Sequence, residues 1–355
     1  MAATLMQAAV LYGKEDVRLE AVPVPAIEAG EMLVRVRTAL TCGTDVKVFR
    51  RGYHARMIRP PALFGHELAG DVVAVGDGVQ KFKPGQRVVA ANSAPCDRCF
   101  FCRRGQQNLC DDLLFNNGAY AEYIRIPERI VHKNTYVIPE GLAYRDAAMV
   151  EPLACALRGL DETGVQPGDT VAVLGLGPIG LMFVRLARFA FGTRVISIAR
   201  RVEQIDQALL LGSQEGILLS KNSELHSDSA VISEIKARTG GRGADVVIEA
   251  VGVPAAWELA TRLVRKGGLI NFFGGCAAGS KVGLDTDVLH YSEITCKASF
   301  HHTPAHIARS LELLADGTMN AGSFINHEEP LSRLPKVLDD LAHHKNGQIK
   351  TAIIP

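Results

Sequence analysis

Two rhythms of apolar and polar residues divide the chain. The first 150 or so residues alternate with the period of two that a half-buried strand requires. Met32-Leu33-Val34-Arg35-Val36-Arg37 puts Met32, Val34 and Val36 on one face and both arginines on the other. Leu68 to Val75 and Arg87 to Ala91 read as further strands, set apart by turns at Gly76-Asp77-Gly78 and Lys83-Pro84-Gly85. Between Glu151 and Asp161 the pattern becomes helical. From Thr170 short apolar runs alternate with helical ones: Val171 to Leu174 and Arg194 to Ile198 as strands, Leu181 to Ala190 and Glu203 to Leu211 as helices. Ala244 to Glu249 and Gly268 to Phe273 predict two more strands around a helix over Ala255 to Val264. Strands alternating with helices imply a parallel, doubly wound sheet. The remainder predicts helices at Ile307 to Ala315 and Leu334 to Lys345 and a short closing strand, Thr351 to Ile354, that is free to return to the first domain.

The fold class is therefore α/β, with a β-rich domain followed by a doubly wound one, and 355 residues suffice for two hydrophobic cores. The formal net charge of +1 and the lack of basic runs with interleaved aromatics argue against a nucleic-acid partner. The start of the chain carries Lys14, Glu15 and Asp16 rather than a signal-peptide pattern, and no apolar stretch reads as a membrane span. A cytoplasmic protein is expected. Four of the eight cysteines crowd between Cys96 and Cys110, which points to metal rather than disulfides.

Gly175-Leu176-Gly177-Pro178-Ile179-Gly180 fits G-x-G-x-x-G between a strand and a helix, the setting in which this pattern binds a dinucleotide. Gly175 would allow the tight turn, Gly177 the approach of a pyrophosphate, and Gly180 close packing of helix on strand. NAD-preferring sites usually end the next strand in Asp or Glu. Here it ends Ala199-Arg200-Arg201. Guanidinium groups fork well onto phosphate, which leans towards NADP; the bland reading is a solvated helix start.

Cys96, Cys99, Cys102 and Cys110 lie on one stretch with no strand pattern of its own, and four thiolates can close a tetrahedron around a structural zinc. A second, dispersed set is Cys42, His66, Glu67 and Glu151. Mixed S, N and O ligands with an open position are typical of catalytic zinc.

Taken together, Gly65-His66-Glu67-Leu68-Ala69-Gly70, the four-cysteine stretch, Glu151-Pro152-Leu153-Ala154 and Gly175 to Gly180 resemble the zinc-containing medium-chain dehydrogenase/reductase family along essentially the whole chain. Cys42-Gly43-Thr44-Asp45 with Glu151-Pro152-Leu153 is similar to its sorbitol, threonine and glucose dehydrogenase branch. The resemblance implies a GroES-like catalytic domain over 1–152 and 301–355 and a Rossmann cofactor domain over 153–300. It also implies Cys42, His66 and Glu151 as ligands of a catalytic zinc, with Glu67 a ligand or exchanging with water, and a second zinc in the cysteine lobe. Asp45 would orient His66, and Thr44 would hydrogen-bond the substrate hydroxyl and begin a proton relay. Several relatives carry a relay His three residues after that Thr; this chain has Lys47, so Lys47, a cofactor hydroxyl or water must take the proton.

The expected activity is hydride transfer between a secondary alcohol or polyol, or its ketone, and NADP or NAD. Alternatives are an amino-alcohol (threonine-type) or sugar (glucose-type) dehydrogenase, a zinc-free reductase on the same fold, and a non-catalytic cofactor-binding protein. Phe49, Arg50, Tyr53, His54, Phe115 and Asn116 are candidate pocket residues from their nearness to the motifs in sequence. Membership of the polyol branch implies a homotetramer, with Leu269 to Phe273 as an edge available for pairing.

Overall fold

The computed structural model describes residues 4–54, 56–220, 228–343 and 349–355. The chain divides into two units, Met1–Ala154 with His302–Pro355, and Cys155–His301.

In the first unit the strand Met32–Leu40 is the organising element. It pairs antiparallel with Leu68–Val75, with Tyr123–Ile126 and, at Ala39 and Leu40, with the returning strand Lys350–Ile354. Arg87–Ala90 and Thr135–Val137 extend the sheet on one side and Ile325–Pro330 on the other. The alternation read from sequence is the burial pattern: Met32 and Val34 are fully buried, while Arg35 and Arg37 face outward. Those inward side chains join Phe64, Phe82, Ile124, Ile126, Leu334 and Leu338 in one core. The helix Leu334–Ala342 covers this core; the continuation expected to Lys345 falls partly outside the described residues.

The second unit is a six-stranded parallel sheet. Its order is Glu215–Leu218, Arg194–Ala199, Thr170–Leu174, Ala244–Glu249, Val264–Phe272, Thr295–Ala298. This is the order of a doubly wound dinucleotide-binding sheet, whose direction of winding reverses beside Thr170–Leu174. Buried on both faces, the central strands are continuous apolar runs, as parallel sheets require.

Three expectations need correction. The stretch Leu269 to Phe273 is not an edge: Val264–Phe272 is paired on both sides, and the edge is Thr295–Ala298. That strand is short and mostly exposed, so it carries no apolar period to betray it. The helix expected over Leu181 to Ala190 starts earlier, at Pro178, and ends at Arg185 in a wider π-turn over Leu186–Ala190. The cysteine stretch does have a strand pair at its base, Ser93–Ala94 against Leu114–Phe115. Among the described residues no helix is long and apolar enough to cross a membrane.

Candidate functional site

Cys42 lies between a strand and a helix. Leu40 completes the pairing of Met32–Leu40, and Cys42 then caps the helix Gly43–Arg51. Its Sγ accepts the Thr44 N–H at 3.4 Å, while its own N–H donates to Asp45 Oδ2 at 3.1 Å. This reciprocal cap fixes the turn. His66 and Glu67 lie just before Leu68–Val75, and the sheet register lays them beside Cys42. One ligand atom each from Cys42, His66 and Glu67 falls within 4.8 Å of the others. His66 Nδ1 bonds Asp45 Oδ1 at 3.0 Å, which leaves Nε2 for a cation. Burial alone would lower the His66 pKa, but Asp45 outweighs it and holds it well above the ordinary imidazole value. A cation at Nε2 would displace that proton.

Glu151 stands at the start of the helix Val150–Asp161, buried, outside that three-atom set; its carboxylate is 3.8 Å from His302 Nε2. Burial pushes Glu151 up to about 7, against the pull of His66. His302 Nε2 is also 3.3 Å from Asn92 Oδ1.

Sequence reading missed Lys350. Fully buried on the returning strand, its Nζ lies 2.7 Å and 3.0 Å from the two oxygens of Glu67 and 2.8 Å from the Thr41 carbonyl. Burial pushes the Glu67 carboxyl up and Lys350 pulls it back, while Glu67 raises Lys350 against its own burial. No local pattern links positions 283 residues apart, so only the fold reveals this pair. Tyr120, 75 residues from Asp45, places its hydroxyl 2.5 Å from Asp45 Oδ2.

Thr44 is half-buried on the first turn of its helix and Lys47, one turn on, is exposed. Of the candidate pocket residues, Phe49 belongs to the hydrophobic core, Arg50 and Tyr53 are exposed, and His54, Phe115 and Asn116 are half-buried. The His54 Nδ1 accepts the N–H groups of Arg56 and Met57, and burial lowers its pKa.

The four sulfurs of Cys96, Cys99, Cys102 and Cys110 also fall within 4.8 Å of one another. Thiolates about 2.3 Å from a tetrahedral zinc sit roughly 3.8 Å apart; Cys99 and Cys110 Sγ are 4.0 Å apart. Backbone N–H groups of Arg98 and Cys99 lower Cys96 to about 6, whereas burial and neighbouring sulfurs push Cys102 up to about 12. A cation would relieve that conflict. The lobe is tied down by the Lys133–Asp97 ion pair and by Asn134, whose amide donates to Ser93 O at 2.6 Å. The residues at both centres thus fit zinc in donor type and spacing.

In the second unit Gly175 turns the chain at φ +95°, a conformation that a side chain resists. A Cβ at Gly180 would overlap the Gly175 carbonyl, whereas at Gly177 it would meet nothing within 4 Å, leaving room for a pyrophosphate. The helix Pro178–Arg185 begins with Pro178 and presents free N–H groups there, beside Ile179. Gln204 holds the loop through the Leu176 carbonyl at 3.0 Å. Glu249, missed in sequence, is buried at the end of the neighbouring strand and accepts the N–H groups of Val251 and Gly252 at 2.8 Å each, shaping the turn against Gly175. Ala199 is buried, and Arg200 and Arg201 are exposed where strand gives way to the helix Val202–Leu210.

Residues 28–140 match the family model of the alcohol dehydrogenase GroES-like domain, and residues 178–316 that of the zinc-binding dehydrogenases. The chain is 30% identical over 357 residues to the sorbitol dehydrogenase of Bacillus subtilis, covering 99% of this chain and 97% of that protein. It is 31% identical over 349 residues to the L-threonine 3-dehydrogenase of Bacillus licheniformis, covering 97% and 96%. A Sinorhizobium meliloti protein assigned as a zinc-binding dehydrogenase, with a crystal structure bound to NADP, superposes with a TM-score of 0.88 at 31% identity, covering 99% of this chain and all of that one.

Proposed function

The chain belongs to the zinc-containing medium-chain dehydrogenases, in the sorbitol and threonine dehydrogenase branch, and from that premise we infer which of its residues carry the reaction. It is an NAD(P)-dependent oxidoreductase that interconverts alcohols or polyols and their carbonyl products. The observation that carries the site assignment is the gathering of the Cys42, His66 and Glu67 ligand atoms within 4.8 Å. Cys42 and His66 are the fixed ligands, and Glu67 and Glu151 are the carboxylates that complete the set. When bound, zinc supplies Lewis acidity at the substrate oxygen and the nicotinamide accepts the hydride. Asp45 orients His66. The Thr44 hydroxyl accepts the hydroxyl proton of the substrate through a hydrogen bond and releases its own towards water on the side where Lys47 lies exposed, one turn away. A screen of polyols, sugars and 3-hydroxy amino acids with both cofactors, followed by reduced-nicotinamide absorbance, identifies the substrate; no turnover with any class would reject the assignment. None of the eight cysteines forms a disulfide, which suits a cytoplasmic setting.

Elemental analysis of protein purified without chelator should give about two zinc ions per chain. Cys99→Ala should lower that to about one and reduce stability, since structural zinc binding is folding free energy. Full activity with a single zinc per wild-type chain would sink the two-site reading.

NADP(H) should be used at least as well as NAD(H). At position 199 a carboxylate would repel the 2′-phosphate; Ala199 cannot, and Arg200 or Arg201 is free in solvent to fork onto it. One charge-assisted hydrogen bond of that kind contributes about 1.5–3 kcal/mol, a roughly tenfold to hundredfold preference. The values of kcat/KM for both cofactors in wild type, Arg200→Ala, Arg201→Ala and the double variant decide this. A strong NAD preference that these changes leave untouched would defeat it.

The assembly is a homo-oligomer, with a tetramer favoured, and the exposed edge Thr295–Ala298 is the pairing surface. Tyr291, 74% exposed, and Phe300, 41% exposed, flank that edge with apolar area. Light scattering should show an assembly that Cys296→Lys, a charge on an unpaired edge, shifts to lower order. A wild-type monomer at assay concentration would reject this.

A further inference from the structure

Asp45 is 1% exposed, and the donors that meet its carboxylate come from three parts of the chain. His66 Nδ1 meets Oδ1 at 3.0 Å; the Cys42 N–H and the Tyr120 hydroxyl meet Oδ2 at 3.1 Å and 2.5 Å. Two of these donors belong to the residues that carry ligand atoms. The third belongs to a residue outside the ligand set. Tyr120 is completely buried, and its phenol has a single proton to give. The Leu40 carbonyl is also within reach, at 3.1 Å, but the carboxylate is nearer and charged and so takes the proton. Burial and the facing carboxylate raise the Tyr120 pKa well above its ordinary value, so the group stays a donor.

The surrounding backbone leaves the ring nowhere else to go. The Tyr120 N–H donates to the Phe64 carbonyl at 2.9 Å, and its own carbonyl accepts the Ala9 N–H at 2.8 Å. Gly118 and Ala119 donate to the Gly65 carbonyl, directly before His66. The ring lies over Gly65, where an added Cβ would sit 2.6 Å from Cδ2, and meets Phe64 edge to face at 5.7 Å between centroids. The segment that carries Tyr120 is thus bonded to the segment that carries His66, and the hydroxyl is aimed by packing on every side. Without it, Oδ2 would keep only the longer Cys42 N–H bond, and the carboxylate would be freer to rotate away from His66.

We propose that Tyr120 is a positioning residue of the catalytic metal centre: its hydroxyl locks the Asp45 carboxylate, which in turn holds the His66 imidazole with Nε2 facing Cys42. This rests on the reading of Cys42 and His66 as ligands. Tyr120→Phe keeps the ring and removes only the hydroxyl, so metal retention separates positioning from packing. Zinc release from the purified holoprotein is titrated with dipicolinate and measured per chain. The variant should lose its catalytic zinc at a roughly tenfold lower chelator concentration, the lower end of what partners of metal-binding histidines contribute. The cysteine-lobe zinc should be retained as in wild type. In an Asp45→Ala background the same substitution should add little, because the acceptor of that bond is already gone.

Identical release curves for wild type and Tyr120→Phe would overturn the proposal. Equal weakening of both zinc classes would overturn it too, by showing a general loss of stability. A wild-type protein with only the cysteine-lobe zinc would overturn the ligand assignment itself, and the proposal with it. Should Tyr120→Phe fail to accumulate, incorporation of 3-fluorotyrosine at position 120 keeps the ring and makes the hydroxyl a stronger donor. It should retain the catalytic zinc more tightly, and an unchanged release curve would again overturn the proposal.

Discussion

Replacing Cys42 with alanine should lower kcat by about a thousandfold or more while zinc falls from about two to about one per chain. Lewis-acid stabilisation at the substrate oxygen is worth several kcal/mol, and each ~1.4 kcal/mol is a factor of ten in rate. The fold should survive. Cys42 is only half-buried, and its sulfur caps the helix through one long bond, 3.4 Å, from the Thr44 N–H. Losing that cap costs at most about 1–2 kcal/mol. Cys42→Ser keeps an N-cap acceptor but supplies a poorer zinc ligand, so it should resemble Cys42→Ala in activity and wild type in melting temperature. Retention of most of the activity in Cys42→Ala would remove this residue from the reaction.

Lys350→Met should destabilise the metal-free protein by about 3–5 kcal/mol, because it leaves the Glu67 carboxylate buried with no compensating charge. For a domain of this size, each kcal/mol moves Tm by about 2–4 °C, so the midpoint should drop by roughly 10 °C. Adding zinc should shrink the deficit, since a cation beside Cys42 and His66 restores positive charge near Glu67. Lys350→Met combined with Glu67→Gln should recover part of the loss, as the buried charge is then gone. Calorimetry with and without zinc reads all three. A shift below about 2 °C in the metal-free single variant would mean that Glu67 is neutral or solvated, contrary to the 2.7 Å pairing.

The features legible in sequence are those whose physics is local. The Gly175–Gly180 loop needs only a preceding strand, a following helix and three residues without side chains. The cysteine lobe announces itself by spacing, although the strand pair at its base is two residues long and leaves no periodic trace. Glu151 and the His66-Glu67 pair were legible as candidates from their donor types and local context, and the family resemblance added their expected roles, because spacing alone does not assemble them. Lys350, Tyr120 and Glu249 were not legible. Their meaning lies in partners brought by sheet register, and a lysine near the end of an apolar strand or a tyrosine among alanines reads as ordinary packing. Thr295–Ala298 was missed for the opposite reason: an edge strand that faces outward has no buried period to display.

The return of Lys350–Ile354 to the first unit also sets a clock on synthesis. Thr351 binds Thr41 across 310 positions, and Lys350 meets Glu67 from the same strand. At about 5–20 residues per second, roughly 15–60 s separate the emergence of the two halves of that pairing. All of Cys155–His301 is made in the interval, and its parallel sheet pairs only with itself, so it is able to fold while its host domain waits. Throughout that wait Leu40 and Thr41 lack their strand partner and Glu67 lacks its counter-charge. The sheet of the first unit is therefore closed at Leu40 and Thr41, and Glu67 paired, only once Lys350–Ile354 has emerged.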